Sequence, residues 1–378
     1  MSDETAGTRA LLTSFLGGPG SDSGWSLLAP RIHAPDDLSP LERTLLPLAF
    51  ERWRQDGRAI DSMHVLRGIH RKTVVRNRLF LLESARSLAA LRAAGVDALV
   101  FKSGGLLGRL LPDTGLRPIA DIDLWVRPSQ IRAATRALGT AGASPGEDHA
   151  VTIEIASGLQ LDLHSLPSHI HTSRLATAAS AEALFDSAWA QREDGALSAA
   201  DLLYFSFLNP LYSHPPGGAR AAFALLELAA ALGALPVTDD VLQGVLRRVQ
   251  DDGSAAVFLE HASWLGPGVS PAIDRFIATA VQPAATPHDI ELALRLSRQA
   301  RNTAGLSVHQ RWLRTHARGE ALASRRMPGG TPATYSGVAR HFLGVMRRNP
   351  RMLLVWAGRP SSWRRLWHIG RHVAGADS

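Results

Sequence analysis

VFKSGGLLGRLLPDTGLRPIADIDLWV, residues 100–126, is the stretch whose reading decides the fold. It reads as the end of a strand, a glycine turn into a short helix, a proline-bounded loop and a second strand carrying Asp121-Ile122-Asp123. Side chains at i and i+2 of an extended chain share a face, so Asp121 and Asp123 point one way and Ile122, Leu124 and Val126 the other. Two carboxylates held this close raise each other's pKa or recruit a cation, and a hard divalent ion such as Mg2+ is the usual solution beside a phosphate. The turn Lys102-Ser103-Gly104-Gly105 supplies the anion-binding half: it follows the apolar run Ala98–Phe101 and opens a helical pattern, with Ser103 or Gly104 as cap.

Working outward, the helix start Ser39-Pro40-Leu41-Glu42 pairs an N-cap serine with a glutamate three residues on, and the helix is expected to run to Gln55. A longer helix is expected over about residues 60–94, with Val65, Ile69, Val75, Leu79, Leu82, Ala85, Leu88 and Leu91 as its apolar stripe and Gly95 as its stop. After Asp123, Ser129 is expected to cap a helix reaching about Ala141, ended by Gly142. Then Val151, Ile153 and Ile155 alternate with polar residues, as do Leu159, Leu161 and Leu163. For both sets to share a face, Ile155 pairs with Leu159 across a three-residue loop ending in Gly158, which sets Asp162 opposite Thr152.

From Ser173 onward the pattern is helical, with helices expected near 173–191, 198–213, 217–233, 238–251, 254–265, 270–282, 286–304, 306–324 and 334–348, and a basic terminal segment. The fold class is α+β: a small mixed sheet embedded in a mostly α-helical chain. The expected divisions are a poorly ordered leader over 1–35, N-terminal helices over 36–95, the sheet-bearing core over 96–172, a helical lobe over 173–330 and a basic C-terminal segment over 331–378.

The chain has no cysteine, which removes disulfides, thiol catalysis and cysteine-ligated metals and leaves carboxylates, histidines and carbonyls as donors. Its N-terminus is acidic and its first apolar run short, and no stretch reaches the ~20 apolar residues of a transmembrane helix, so a cytoplasmic protein is expected. Among 41 basic residues only Lys72 and Lys102 are lysine, which singles out Lys102 beside the glycine turn, where a flexible ammonium suits a phosphate.

Asp121, Asp123 and Asp162 form the candidate metal-binding and catalytic trio, with Asp162 on a strand of the same sheet. Arg117, fixed toward extended backbone by Pro118, either contacts a triphosphate or pairs with Asp113 or Asp121. Trp125 shares the aspartate face and is read as packing beneath the helical lobe in preference to stacking on a base. In HSLPSHIH, residues 164–171, Pro167 interrupts the histidines and no carboxylates accompany them, which argues against zinc; His164 alone shares the face of Asp162.

The run from Gly95 to His164 resembles the uncharacterised bacterial nucleotidyltransferase-like family of the DNA polymerase beta superfamily. The matching elements are Phe101-Lys102-Ser103, Pro112-Asp113-Thr114-Gly115-Leu116-Arg117-Pro118 followed by Asp121-Ile122-Asp123-Leu124, and Leu161-Asp162-Leu163-His164. The resemblance implies a polymerase-beta-like nucleotidyltransferase lobe in which Asp121 and Asp123 bind metal and Asp162 completes the coordination or acts as base. Lys102, Ser103, Gly104, Gly105 and Arg117 then bind the nucleotide, with Mg2+ or Mn2+ as the metal and an NTP as co-substrate. Ser103 stands where members carry glycine, and Asn209, Tyr212 and His214 stand where members often carry histidines.

The reaction expected is transfer of a nucleoside monophosphate to a hydroxyl or phosphate of a small-molecule, peptide or nucleic-acid acceptor. The alternatives are phosphoryl transfer on the same site, or a binding module with a residual metal site. Residues 301–378 hold fourteen arginines against Glu320 and Asp377, with Trp312, Trp356, Trp363 and Trp367 among them. This is either a surface for an acidic partner, nucleic acid or membrane, or a compositional bias on ordinary helices.

Overall fold

A computed structural model describes residues 11–16, 28–34, 36, 38–55, 57, 61–107, 109, 114–139, 144–145, 150–155, 159–168, 178–193, 196–214, 216, 218–234 and 237–302. All of these lie in the first of two units, Met1–Thr315. The helices expected at 306–324 and 334–348 and the arginine-rich terminus fall outside the described residues.

Helix α1 (Pro40–Gln55) opens on the capping box its sequence predicts: the Ser39 N–H donates to Glu42 Oε2 at 2.7 Å and the Glu42 N–H to Ser39 Oγ at 3.3 Å. Leu11, Leu28 and Ile32 pack with Leu46, Phe50 and Trp53 of α1 and Leu66 of the next helix. Leu11, Leu28 and Ile32, from the segment read as a leader, thus belong to this core.

Helix α2 (Met63–Ala93) ends at Gly95, whose φ of +70° a glycine adopts without strain. Its buried face matches the expected stripe only in part: Leu91 is buried, and Val65, Ile69 and Leu88 pack partly buried against the cores. Leu66, Thr73, Asn77, Phe80, Ser84, Ser87 and Leu91 are buried, while Val75 is 70% exposed and Leu79 and Leu82 are 40% and 48% exposed. Over Val75, Leu79 and Leu82 the expected stripe turns to the surface, and there the face carrying Asn77 is buried against the chain leading into β2.

The sheet contains β1 (Ala98–Val100), β2 (Asp121–Val126), β3 (Ser144–Pro145), β4 (Ala150–Glu154) and β5 (Gln160–His164), in the order β1-β2-β5-β4-β3. Only the β2–β5 pairing is parallel. The hairpin has the expected register, Thr152 opposite Asp162, with the Ile155 N–H donating to Leu159 O at 3.0 Å. Helices α3 (Lys102–Leu106) and α4 (Ile131–Leu138) connect the strands. Helix α4 is shorter than expected: Ser129 sits inside a 3-10 turn, Pro128–Gln130, and Gly139 at φ +86° ends the helix in place of Gly142. Ile122, Leu124, Val126, Ile153, Leu161 and Leu163 form one apolar face, packed with Phe80 and Leu91 of α2 and Ala134 of α4.

The helical lobe follows: α5 (Ala178–Ala190), α6 (Ala199–Ser213), α7 (Ala219–Ala234), α8 (Asp239–Asp252), α9 (Ala255–Leu265), α10 (Pro271–Phe276) running into a π-helical turn at Ile277–Val281, and α11 (Pro287–Asn302). Ser198 caps α6 and Thr238 caps α8, each accepting from the N–H three residues on. Arg248 on α8 makes two hydrogen bonds to Asp201 on α6, at 2.6 and 3.0 Å, in the interior of the lobe. No helix among the described residues is long and apolar enough to cross a membrane.

Candidate active site

The second face of the sheet carries the chemistry. Parallel pairing of β2 with β5 sets Asp123 beside Asp162 and Trp125 beside His164. Since residues two apart share a face, Asp121, Asp123, Asp162 and His164 come together. Trp125 is fully buried at the far end, edge-on to Phe185 of α5 and Phe205 of α6 with ring centroids 5.4 and 5.3 Å away, and its Nε1–H donates to Ser165 O. It packs beneath the helical lobe, as its sequence context predicts.

Lys102 reaches in from the end of β1. Its Nζ donates to Asp123 Oδ1 at 2.6 Å and lies 3.3 Å from His164 Nε2. His164 Nε2 is 2.8 Å from the same Asp123 oxygen. An ionised carboxylate can only accept, so this contact is His164 Nε2–H donating to Asp123. Across the hairpin, the Thr152 hydroxyl donates to Asp162 Oδ1 at 2.7 Å.

These contacts divide the carboxylates electrostatically. Burial raises the pKa of Asp123, but the Lys102 ammonium and the His164 hydrogen bond outweigh it and hold the group well below the usual carboxylate range. Asp121 has no such partner close by: burial first, then the Asp123 charge, push it up to about 6, with Asp162 adding to the rise and Lys102 and Arg117 opposing it. Burial, and then the Lys102 ammonium, push His164 below its ordinary value, against the raising effect of its bond to Asp123.

The glycine turn sits differently from expectation. Neither Ser103 nor Gly104 caps α3; the helix begins at Lys102 after extended Phe101, and Ser103 is buried inside it. The Gly105 N–H donates to Phe101 O at 3.3 Å. A Cβ on Gly105 would lie 2.6 Å from Leu202 Cδ1 and 3.1 Å from Val100 O, and one on Gly104 3.2 Å from Val100 Cγ1. Close packing onto the β1 backbone and α6 thus favours glycine at 105, alongside any part the turn has in holding an anion.

Arg117 pairs with Glu227 of α7 and lies over the Phe223 ring at 5.3 Å. Its ion-pair partner is therefore a residue of the helical lobe rather than Asp121; Asp113 lies outside the described residues. Burial raises the pKa of Glu227 and the Arg117 charge opposes the rise.

Two supporting residues escape the sequence reading. Asn77 on α2 donates to Thr114 O and Arg117 O, both at 2.5 Å, and accepts from the Ile119 N–H at 3.0 Å, so it fixes the loop entering β2. Nothing local marks it as different from a solvated asparagine. Glu227 did leave a signal, as the lone acidic residue in the apolar run 221–236.

Asp123, Asp162 and His164 each place a donor atom within 4.8 Å of the others. With Asp121 on the same face, its pKa raised first by burial and then by the charges of Asp123 and Asp162, the set fits a divalent cation, which would relieve the repulsion among the carboxylates. His164 joins the group; His169 and His171 lie outside the described residues. Residues 42–208, from the start of α1 into α6, match the family described as uncharacterised nucleotidyltransferase. No curated protein and no solved structure matches the chain.

Proposed function

We propose that this chain, which carries a nucleotidyltransferase-family domain over residues 42–208, moves a nucleoside monophosphate from an NTP to a hydroxyl or phosphate oxygen of an acceptor and releases pyrophosphate. The observation that carries the reading is the gathering of Asp121, Asp123 and Asp162 on one face of two adjacent parallel strands, with Lys102 reaching onto it. These carboxylates would hold Mg2+, a cation that prefers oxygen donors, with Mn2+ as the alternative. When bound, the cation supplies charge neutralisation at the triphosphate and at the attacking oxygen.

The remaining work falls to the side chains. Lys102 and the turn through Ser103, Gly104 and Gly105 hold the triphosphate. Asp162, one oxygen fixed by Thr152, takes the acceptor proton as the acceptor oxygen bonds to the α-phosphorus. The bond from that phosphorus to its bridging oxygen breaks, and the electron pair leaves with pyrophosphate. Arg117, held by Glu227, adds positive charge beside Asp121 and contributes to nucleotide binding.

The test supplies all four α-labelled NTPs, and γ-labelled ATP separately, with Mg2+ and a cell extract as acceptor source. Label in the acceptor from the α-position alone is expected; transfer of the γ-label identifies a kinase instead. The double variant Asp121→Asn with Asp123→Asn is expected to lose activity by about a thousandfold, and transfer at the wild-type rate would overturn the assignment.

A further inference from the structure

Lys102 is the sole non-glycine among the described residues with positive φ, at +50°. That conformation is strained for a residue that carries a side chain. A lysine that only awaited a phosphate would extend into solvent and keep its rotamer freedom. Instead its side chain is 19% exposed, crosses the Phe101 ring at 5.1 Å and ends on Asp123. The ammonium thus touches two of the three residues, Asp123 and His164, whose donor atoms cluster within 4.8 Å.

We propose that Lys102 is an internal stand-in for the divalent cation: its ammonium neutralises Asp123 until a triphosphate draws it away and the metal takes its place. The inference rests on the reading of this face as a nucleotidyl-transfer site. Asp123 Oδ1 already accepts from both Lys102 and His164, which uses its two lone pairs, so a metal ion that takes this oxygen displaces the ammonium. The triphosphate offers the ammonium another anionic partner, so nucleotide and metal each favour binding of the other, by equal factors. The bare metal ion binds weakly, and the carboxylate face stays neutralised between turnovers.

The experiment titrates Mn2+ alone into nucleotide-free protein and counts the free ion by its electron paramagnetic resonance. Lys102→Met keeps the apolar stem and removes the charge, and is expected to bind Mn2+ about tenfold or more tightly than wild type. Equal or weaker binding by the folded variant overturns the proposal. Should the variant fail to fold, wild type suffices. Lysine-selective 13C labelling gives two Cε signals, from Lys72 and Lys102. Mg2+ at a concentration that displaces bound Mn2+ is expected to move the Lys102 signal and leave that of exposed Lys72 in place; an unmoved Lys102 signal overturns the exchange. Neither measurement follows group transfer. A protein that transfers nucleotide without the exchange discards this inference alone, and one that exchanges without transferring discards the proposed function alone.

Discussion

Asp121 and Asp123 sit two residues apart on one strand, yet their environments drive them in opposite directions. Lys102 and His164 hold Asp123 ionised, whereas Asp121 is left with burial and two acidic neighbours. A carboxyl whose folded-state pKa is raised binds its proton more tightly in the fold. Its contribution to stability is therefore fully present below the ordinary value of 3.8 and is lost as pH rises through about 6. In metal-free protein, Asp121→Asn is accordingly expected to raise stability by about 1–3 kcal/mol at pH 7.5. The gain should shrink to nothing near pH 4, as urea denaturation across that range would show. A gain independent of pH would mean that asparagine acts through packing instead. This stabilisation by removal of a proposed catalytic group is the signature of a site held at a cost for function.

At the scale of elements, the decisive contact is between α2 and the loop entering β2. Asn77 satisfies three backbone groups at once, and truncation to alanine leaves Thr114 O, Arg117 O and the Ile119 N–H without that partner. Asn77→Ala is expected to cost about 2–4 kcal/mol, read by denaturant unfolding. Two residues back along the helix, Val75→Gln is expected to stay within about 0.5 kcal/mol, because the valine is 70% exposed. The contrast inverts what hydropathy predicts, and equal costs would restore the apolar stripe as the buried face. Loss of the loop geometry should also reach Arg117 and, through it, the charge beside Asp121.

Across the whole molecule, the helical lobe is fastened to the sheet where Trp125 meets Phe185 and Phe205. Phe205 in turn lies under the Arg248 guanidinium at 5.6 Å, and Arg248 is bound by Asp201. Asp201→Ala would strand a buried guanidinium, and the expected cost is about 3–5 kcal/mol in denaturant unfolding. Arg117 with Glu227 forms a second link, from the loop before β2 to α7. The family match ends at residue 208, so α7 lies past the matched segment while its Glu227 pairs with Arg117, a residue proposed to bind nucleotide.

Local chemistry was enough to read β1, β2, β4 and β5, the hairpin register, the capping box before α1 and the common face of Asp121, Asp123 and Asp162. Each follows from alternation, turn stereochemistry or capping, which act within a few residues. Tertiary structure alone decided which side of α2 is buried, that Glu227 is the partner of Arg117, and that packing against Leu202 and Val100 requires the glycine of the turn. It also decided that Lys102 and His164 meet on one oxygen of Asp123. These depend on groups far apart in the chain, where burial and charge are settled by what arrives from elsewhere in the fold, and no local pattern encodes that.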